Sequence, residues 1–227
     1  MRIVLSVEAL EPVLTGIGRY TWELARRLPQ LVRSVQFFRL GRLISDPASL
    51  LLPVRAKKPN RKRKWNPFRF PLPLWWRELR LRPACRGKIF HGCNYFLPSC
   101  ADIGVVTVHD LSVFKFSETH PVKRIQQFER EFGRSISRAA HLITDSEAVR
   151  REVIEFLGWP PDKITTVPLG VSSEFAPRTS EALDPCMREY SLTANGYTFC
   201  VSTLEPRKKI ENLLQAYKSL PNGLRMR

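Results

Sequence analysis

Apolar positions follow two rhythms along this chain. Continuous runs of four to six residues alternate with stretches in which apolar positions recur every three or four residues. Residues 2–7 (RIVLSV) form an unbroken apolar and β-branched run, the pattern of a strand buried on both faces. Residues 17–28 (IGRYTWELARRL) place Tyr20, Leu24 and Leu28 at a spacing of four, which predicts a helix. The same reading predicts strands at 35–40, 88–90, 104–108, 142–144 and 164–167. It predicts helices at 122–140 and 147–157, with another entered near Leu74. Ser146 is placed to cap the helix at 147–157, and Gly158 with Pro160 and Pro161 to stop it. Strands alternating with helices imply right-handed βαβ units and a doubly wound parallel sheet, an α/β domain over residues 1–171. Residues 172–195 lack periodicity and contain Pro177 and Pro185, so they read as a linker. A strand at 197–203 and a helix at 207–220 then read as the first βα unit of a second, incomplete Rossmann-like domain over 196–227.

Composition supports a packed core: 43% of the 227 residues are hydrophobic and 10% aromatic. No run of about 18 apolar residues is present, so no membrane-spanning helix is expected. The apolar start is too short for the core of a signal peptide. Five cysteines without CxxC spacing indicate neither a disulfide framework nor a zinc module, so a reducing, cytoplasmic setting is expected. Charge alters the picture. The net charge is +16, and eleven of these positive charges fall in 55–86, where twelve basic residues meet the single acid Glu78. Arg61, Lys62, Arg63, Lys64 and Trp65 lie in this stretch with Trp75, Trp76 and the prolines Pro59, Pro67, Pro71 and Pro73. Prolines exclude a helix through 59–73. Cations interleaved with tryptophans suit an anionic membrane surface or lipid phosphate. A solvated basic loop and nucleic-acid binding are the other readings, and no nucleic-acid recognition module accompanies the patch.

Three constellations carry candidate chemistry. Gly16 and Gly18 follow the first strand and open a helix, where free N–H groups face an anion; a plain loop-to-helix turn is the alternative. The third glycine and the acid of a dinucleotide fingerprint are missing, since position 21 is Thr. His91 and His109 both end predicted strands, and ligand crevices of open parallel sheets lie beyond the strands' carboxyl ends. His109-Asp110 is the stronger candidate; His120 and His141 read as structural. Cys85, His91, Cys93 and Cys100 fit no zinc spacing, so no metal is expected. In 202–210, basic residues open a predicted helix against its dipole, a local conflict that suits a diphosphate ligand.

Read together, six segments resemble the retaining nucleotide-sugar glycosyltransferases of family 4, the two-Rossmann-domain GT-B group: GIGRYTWELARRL (16–28), FHGCNYFLP (90–98), VVTVHDLSVFKF (105–116), ITDSEAVRREVIEFL (143–157), ITTVPLGVSSEF (164–175) and STLEPRKKIENLLQAY (202–217). The likeness is to mannosyl- and rhamnosyltransferases of O-antigen and other bacterial surface polysaccharides. It implies that Gly16, Gly18, Arg207 and Lys208 bind the donor diphosphate, that His109 contacts the transferred sugar, and that Asn94, Tyr95 and Asp110 lie on the acceptor side. It implies transfer of a hexose, with retention, from a GDP-linked donor favoured over others to a lipid-linked saccharide. No metal or other cofactor is expected, and the expected location is the inner face of the cytoplasmic membrane. The family's paired-glutamate motif would lie beyond residue 227, so a truncated chain of little activity is expected. A non-catalytic membrane- or acceptor-binding module is the alternative.

Overall fold

The computed structural model describes residues 1–52, 73–115, 122–202, 204 and 206–225. Arg61, Lys62, Arg63, Lys64 and Trp65 lie outside them. The described chain divides into two compact units, Met1–Leu169 and Gly170–Arg227.

The first unit is built on a seven-stranded sheet of order β3-β2-β1-β4-β5-β6-β7. Its strands are β1 (Arg2–Ser6), β2 (Ser34–Arg39), β3 (Arg42–Ile44), β4 (Ile89–Gly92), β5 (Ile103–Val108), β6 (Ala139–Thr144) and β7 (Ile164–Thr166). All neighbours pair parallel except β2 and β3. That one hairpin turns through Leu40 and Gly41, both at positive φ, the geometry of a tight two-residue turn. It was not visible as a separate strand because 35–40 reads as one continuous run.

Helices α1 (Gly16–Leu31), α2 (Leu74–Cys85), α3 (Ser112–Lys115), α4 (Val122–Ile136) and α5 (Glu147–Leu157) connect the strands. Adjacent residues of one strand feed opposite layers of core. Val4, Phe38, Phe90, Val106, Val108 and Leu142 pack with Phe132 of α4 and Val153 of α5. Leu5, Phe37 and Cys93 pack with Ala25 of α1. A strand buried on both faces needs such an unbroken apolar run. The fold is therefore a doubly wound, Rossmann-like α/β domain. Ser146 caps α5, its hydroxyl accepting from Val149 N at 3.3 Å, and Gly158 closes it in the left-handed region.

Two boundaries differ from the pattern. The helix predicted over 122–140 ends at Ile136, because Ala139 and His141 are already paired with β5. Strand β4 runs on to Gly92, so His91 sits inside it, between Leu5 and Val105, rather than after it.

The second unit departs further. Among its described residues no strand forms. The apolar run predicted as a strand at 197–203 has no neighbouring strand to pair with, and Phe199, Val201 and Leu204 are exposed. The stretch 172–195, expected as a linker, holds α6 (Ser180–Glu189). Thr179 caps it, accepting from Ala182 N at 3.4 Å, and Glu181 lies in its first turn. The helix expected from 207 begins later, as α7 (Ile210–Ser219). Pro206–Lys208 form a 3-10 turn and Lys209 is left-handed at φ 49°.

Candidate functional site

The carboxyl ends of β1, β4, β5 and β6 bring together most of the predicted residues of the first unit. Thr15 caps α1, its hydroxyl accepting from Gly18 N at 3.2 Å, and no acid occupies the first turn. At Gly18 a Cβ would lie 2.9 Å from the Ala9 carbonyl oxygen, so only glycine fits without moving backbone. At Gly16 a Cβ would meet nothing within 4 Å, so this position leaves the helix end open rather than serving packing. Thr21, where a dinucleotide site would carry glycine, is fully buried.

His109 follows β5 directly. Its Nδ1 lies 2.6 Å from Asp145 Oδ2 and its Nε2 lies 2.8 Å from the Cys93 carbonyl oxygen. A carbonyl oxygen only accepts, so Nε2 carries a hydrogen. Beside a carboxylate, Nδ1 carries one too. Burial opposes charge on the ring. The Asp145 hydrogen bond and charge, the Cys93 carbonyl and Asp110 outweigh that opposition and raise the pKa above the ordinary histidine value. The side chain is only 9% exposed, against 18% for Asp145. Tyr20 and Tyr95 present ring edges to it at 5.0 and 6.1 Å. Both nitrogens are thus committed within the protein. In this arrangement both ring nitrogens face acceptors, which favours the imidazolium.

His91 is its opposite. Its Nε2 lies 2.8 Å from the Thr107 hydroxyl, which lies 3.0 Å from the Tyr20 hydroxyl. Burial, with repulsion from His109 behind it, pushes its pKa down to about 4, so the ring is neutral at neutral pH.

The acceptor-side candidates divide. Asn94 is half-buried, and its Oδ1 has no hydrogen-bond partner among the described residues. Tyr95 is buried, its ring among Phe96, Phe128 and Phe132. Its hydroxyl donates to Asp110 Oδ1 at 3.2 Å and accepts from Asp110 N. It supports the crevice wall rather than presenting a surface. Asp110 is exposed and also accepts from Ser112 N and the Ser112 hydroxyl at the start of α3.

Asp145, Thr107 and Tyr20 escaped the sequence reading. Asp145 follows β6 just as His109 follows β5, so the strand-end rule that singled out the histidine also reaches it. Thr107 and Tyr20 sit inside elements and carry no such signal. In the second unit Lys208 is exposed on the 3-10 turn. Arg207 and Lys208 precede α7, whose N-cap is Lys209 and whose first turn carries Glu211, so the basic run abuts the positive end of the helix rather than forming its first turn. Among the described residues no three His, Cys, Asp or Glu side chains stand together as metal ligands.

A mostly parallel, Rossmann-like sheet with charged residues beyond its carboxyl edge is the architecture of a GT-B glycosyltransferase N-terminal domain. The model of Glycosyltransferase Family 4 matches residues 14–175, and the chain belongs to that family. It is 33% identical over 238 aligned residues to the O-antigen chain mannosyltransferase B of Escherichia coli, covering all of this chain and 62% of that protein. Two Escherichia coli serotype-specific mannosyltransferases WbdA are 32% identical over 92 residues, covering 40% of this chain and 11% of theirs.

Proposed function

We propose that the chain serves a mannosyl- or rhamnosyl-type transfer. A hexose would pass, with retention, from a nucleotide-diphosphate sugar, GDP-linked by preference, to a lipid-linked saccharide of O-antigen. The observation that carries this reading is the 33% identity along the whole chain to an O-antigen mannosyltransferase. The residues fit their parts. Departure of a nucleoside diphosphate builds negative charge on phosphate oxygens, which preorganised donors stabilise. The acid-free N-terminus of α1 at Gly16 and Gly18 offers such donors in the first unit, and Arg207 and Lys208 offer cations in the second. His109, with both nitrogens occupied, orients and polarises its surroundings and takes no nucleophilic part. Chemistry so assigned needs no metal or other cofactor.

The test is label transfer from a panel of GDP- and UDP-sugars to extracted lipid-linked saccharides. Incorporation from GDP-mannose above the rest supports the reading. Incorporation from UDP-sugars alone removes the donor assignment, and incorporation from none removes transfer by residues 1–227.

A peripheral site at the inner face of the cytoplasmic membrane accompanies this proposal. On α2, Trp75 and Trp76 are 59% and 41% exposed beside exposed Leu74 and Leu79, with the Arg80 guanidinium 5.6 Å from the Trp76 ring centre. Aromatic rings with cations beside them suit the headgroup level of an anionic bilayer. Co-sedimentation with anionic vesicles is expected to weaken with salt and with the Trp75→Ala/Trp76→Ala pair. Binding untouched by both changes would remove α2 from the contact.

A further inference from the structure

We propose that Asp145 is a positioning residue of the strand-end crevice: acting through His109, it ties the turn carrying Asn94 and Tyr95 to the ends of β5 and β6. The functional weight of this assignment rests on the transfer reading above, which places that turn on the acceptor side. The geometry itself does not depend on it.

Three neighbouring strand ends are joined by one side chain. Asp145 leaves β6, His109 leaves β5, and the Cys93 carbonyl belongs to the segment leaving β4. Two charge-assisted bonds, of 2.6 and 2.8 Å, run along that line, the stronger class of hydrogen bond. What they hold is a costly backbone. Tyr95 has φ 62°, in the left-handed region that a bulky aromatic seldom occupies. Its N–H donates to the Thr107 carbonyl at 3.2 Å, and Phe96 N–H donates to the Asn94 carbonyl at 2.8 Å. Such a conformation persists only where its surroundings over-determine it, and the His109–Cys93 bond reaches the residue two before it. Asp145 touches neither Asn94 nor Tyr95 through any of these bonds, so its influence passes through the imidazole.

Several groups among the described residues face His109. They are Asp145 from the end of β6, Asp110 beside it in the chain, Tyr20 from α1, Cys93 and Tyr95 from the segment after β4, and His91 within β4. Asp145 bonds to the imidazole through its carboxylate, and removing it releases Nδ1.

Two substitutions separate the charge from the tie. In Asp145→Asn, a neutral ring keeps Nε2–H for Cys93 and accepts at Nδ1 from the new amide, so the tie survives while the charge goes. In Asp145→Ala both are lost. The experiment is histidine side-chain and backbone amide NMR on 1–227, with no sugar present. In the wild type, His109 is expected to hold both ring protons at neutral pH, and the amides of 94–96 to shift with the same midpoint. Asp145→Asn is expected to move that shared midpoint downward. Asp145→Ala is expected to speed amide exchange of Tyr95 and Phe96 by about tenfold or more, with Val106 and Leu142 unchanged. A midpoint that stays in place in Asp145→Asn, or unchanged Tyr95 exchange in a folded Asp145→Ala, overturns the assignment. If Asp145→Ala does not fold, the Asn variant alone decides. Because no donor or acceptor is used, failure here and failure of the transfer reading are separate results.

Discussion

His91 and His109 stand on adjacent strands of one parallel sheet, and the protein treats them in opposite ways. His91 is the third residue of β4, with β1 and β5 on either side, and its Nε2 meets the Thr107 hydroxyl, a neutral partner. His109 is the first residue past β5, where a carboxylate from the next strand and a carbonyl from the previous one can reach both nitrogens. His91 lies opposite Val105, so four residues along β5 separate a histidine held neutral from one whose pKa is raised. Position inside the sheet offers burial alone, whereas position just beyond it offers burial together with an ion partner.

The largest effect that can break this comparison is a pH profile with two limbs. An unfolded histidine titrates near about 6.5. His91 is held neutral, with a folded value of about 4. Its contribution is therefore complete above the unfolded value and is lost as pH falls towards about 4, by about 3 kcal/mol in total. For His109 the folded value is raised. Its contribution is complete below the unfolded value and is lost as pH rises through the folded one. Stability from the pair is accordingly greatest near neutrality. Urea unfolding across pH is expected to show the acid limb flattened in His91→Gln and the alkaline limb flattened in Asp145→Asn. An acid limb identical in wild type and His91→Gln would show that His91 is not held neutral by the fold.

How far the sequence reached follows the same division. Buried parallel strands announce themselves as apolar runs, so the parallel strands, α1, α5 and the cap at Ser146 were legible, whereas the antiparallel β3 was not. The HDL segment marked His109 because a polar pair closing a strand is conspicuous. Asp145 was obscured, since ITDSEAVRRE reads first as a helix entry in which Ser146 does the capping. The difference between His91 and His109 was illegible: it depends on β4 running two residues past its apolar stretch, which pairing with Leu5 and Val105 decides. In the second unit, local pattern misled. Phe199 and Val201 alternate like a strand, but a strand needs a neighbour, and none is present among the described residues there. Likewise Arg207 and Lys208 look like a helix start until the left-handed Lys209 moves that start to Ile210.

The smallest effect tests Tyr20, which touches the His109 ring and bonds to the Thr107 hydroxyl that His91 also meets. Tyr20 places its hydroxyl 3.0 Å from the Thr107 hydroxyl, on the His91 side, and its ring edge 5.0 Å from the His109 ring centre. Tyr20→Phe removes the first contact and keeps the second. The Thr107 hydroxyl retains His91, so no buried group is stranded, and the expected cost is about 1 kcal/mol, that of one net hydrogen bond. In histidine NMR the resonances of His91 should move while the titration midpoint of His109 stays. Tyr20→Leu removes the ring as well, and then His109 should respond too, because an aromatic edge beside the imidazole is worth about 0.5–1.5 kcal/mol beyond area. If Tyr20→Phe moves the His109 midpoint as far as Tyr20→Leu does, the two histidines share one electrostatic network through Thr107, and their opposite pKa shifts are a property of the pair rather than of two separate environments.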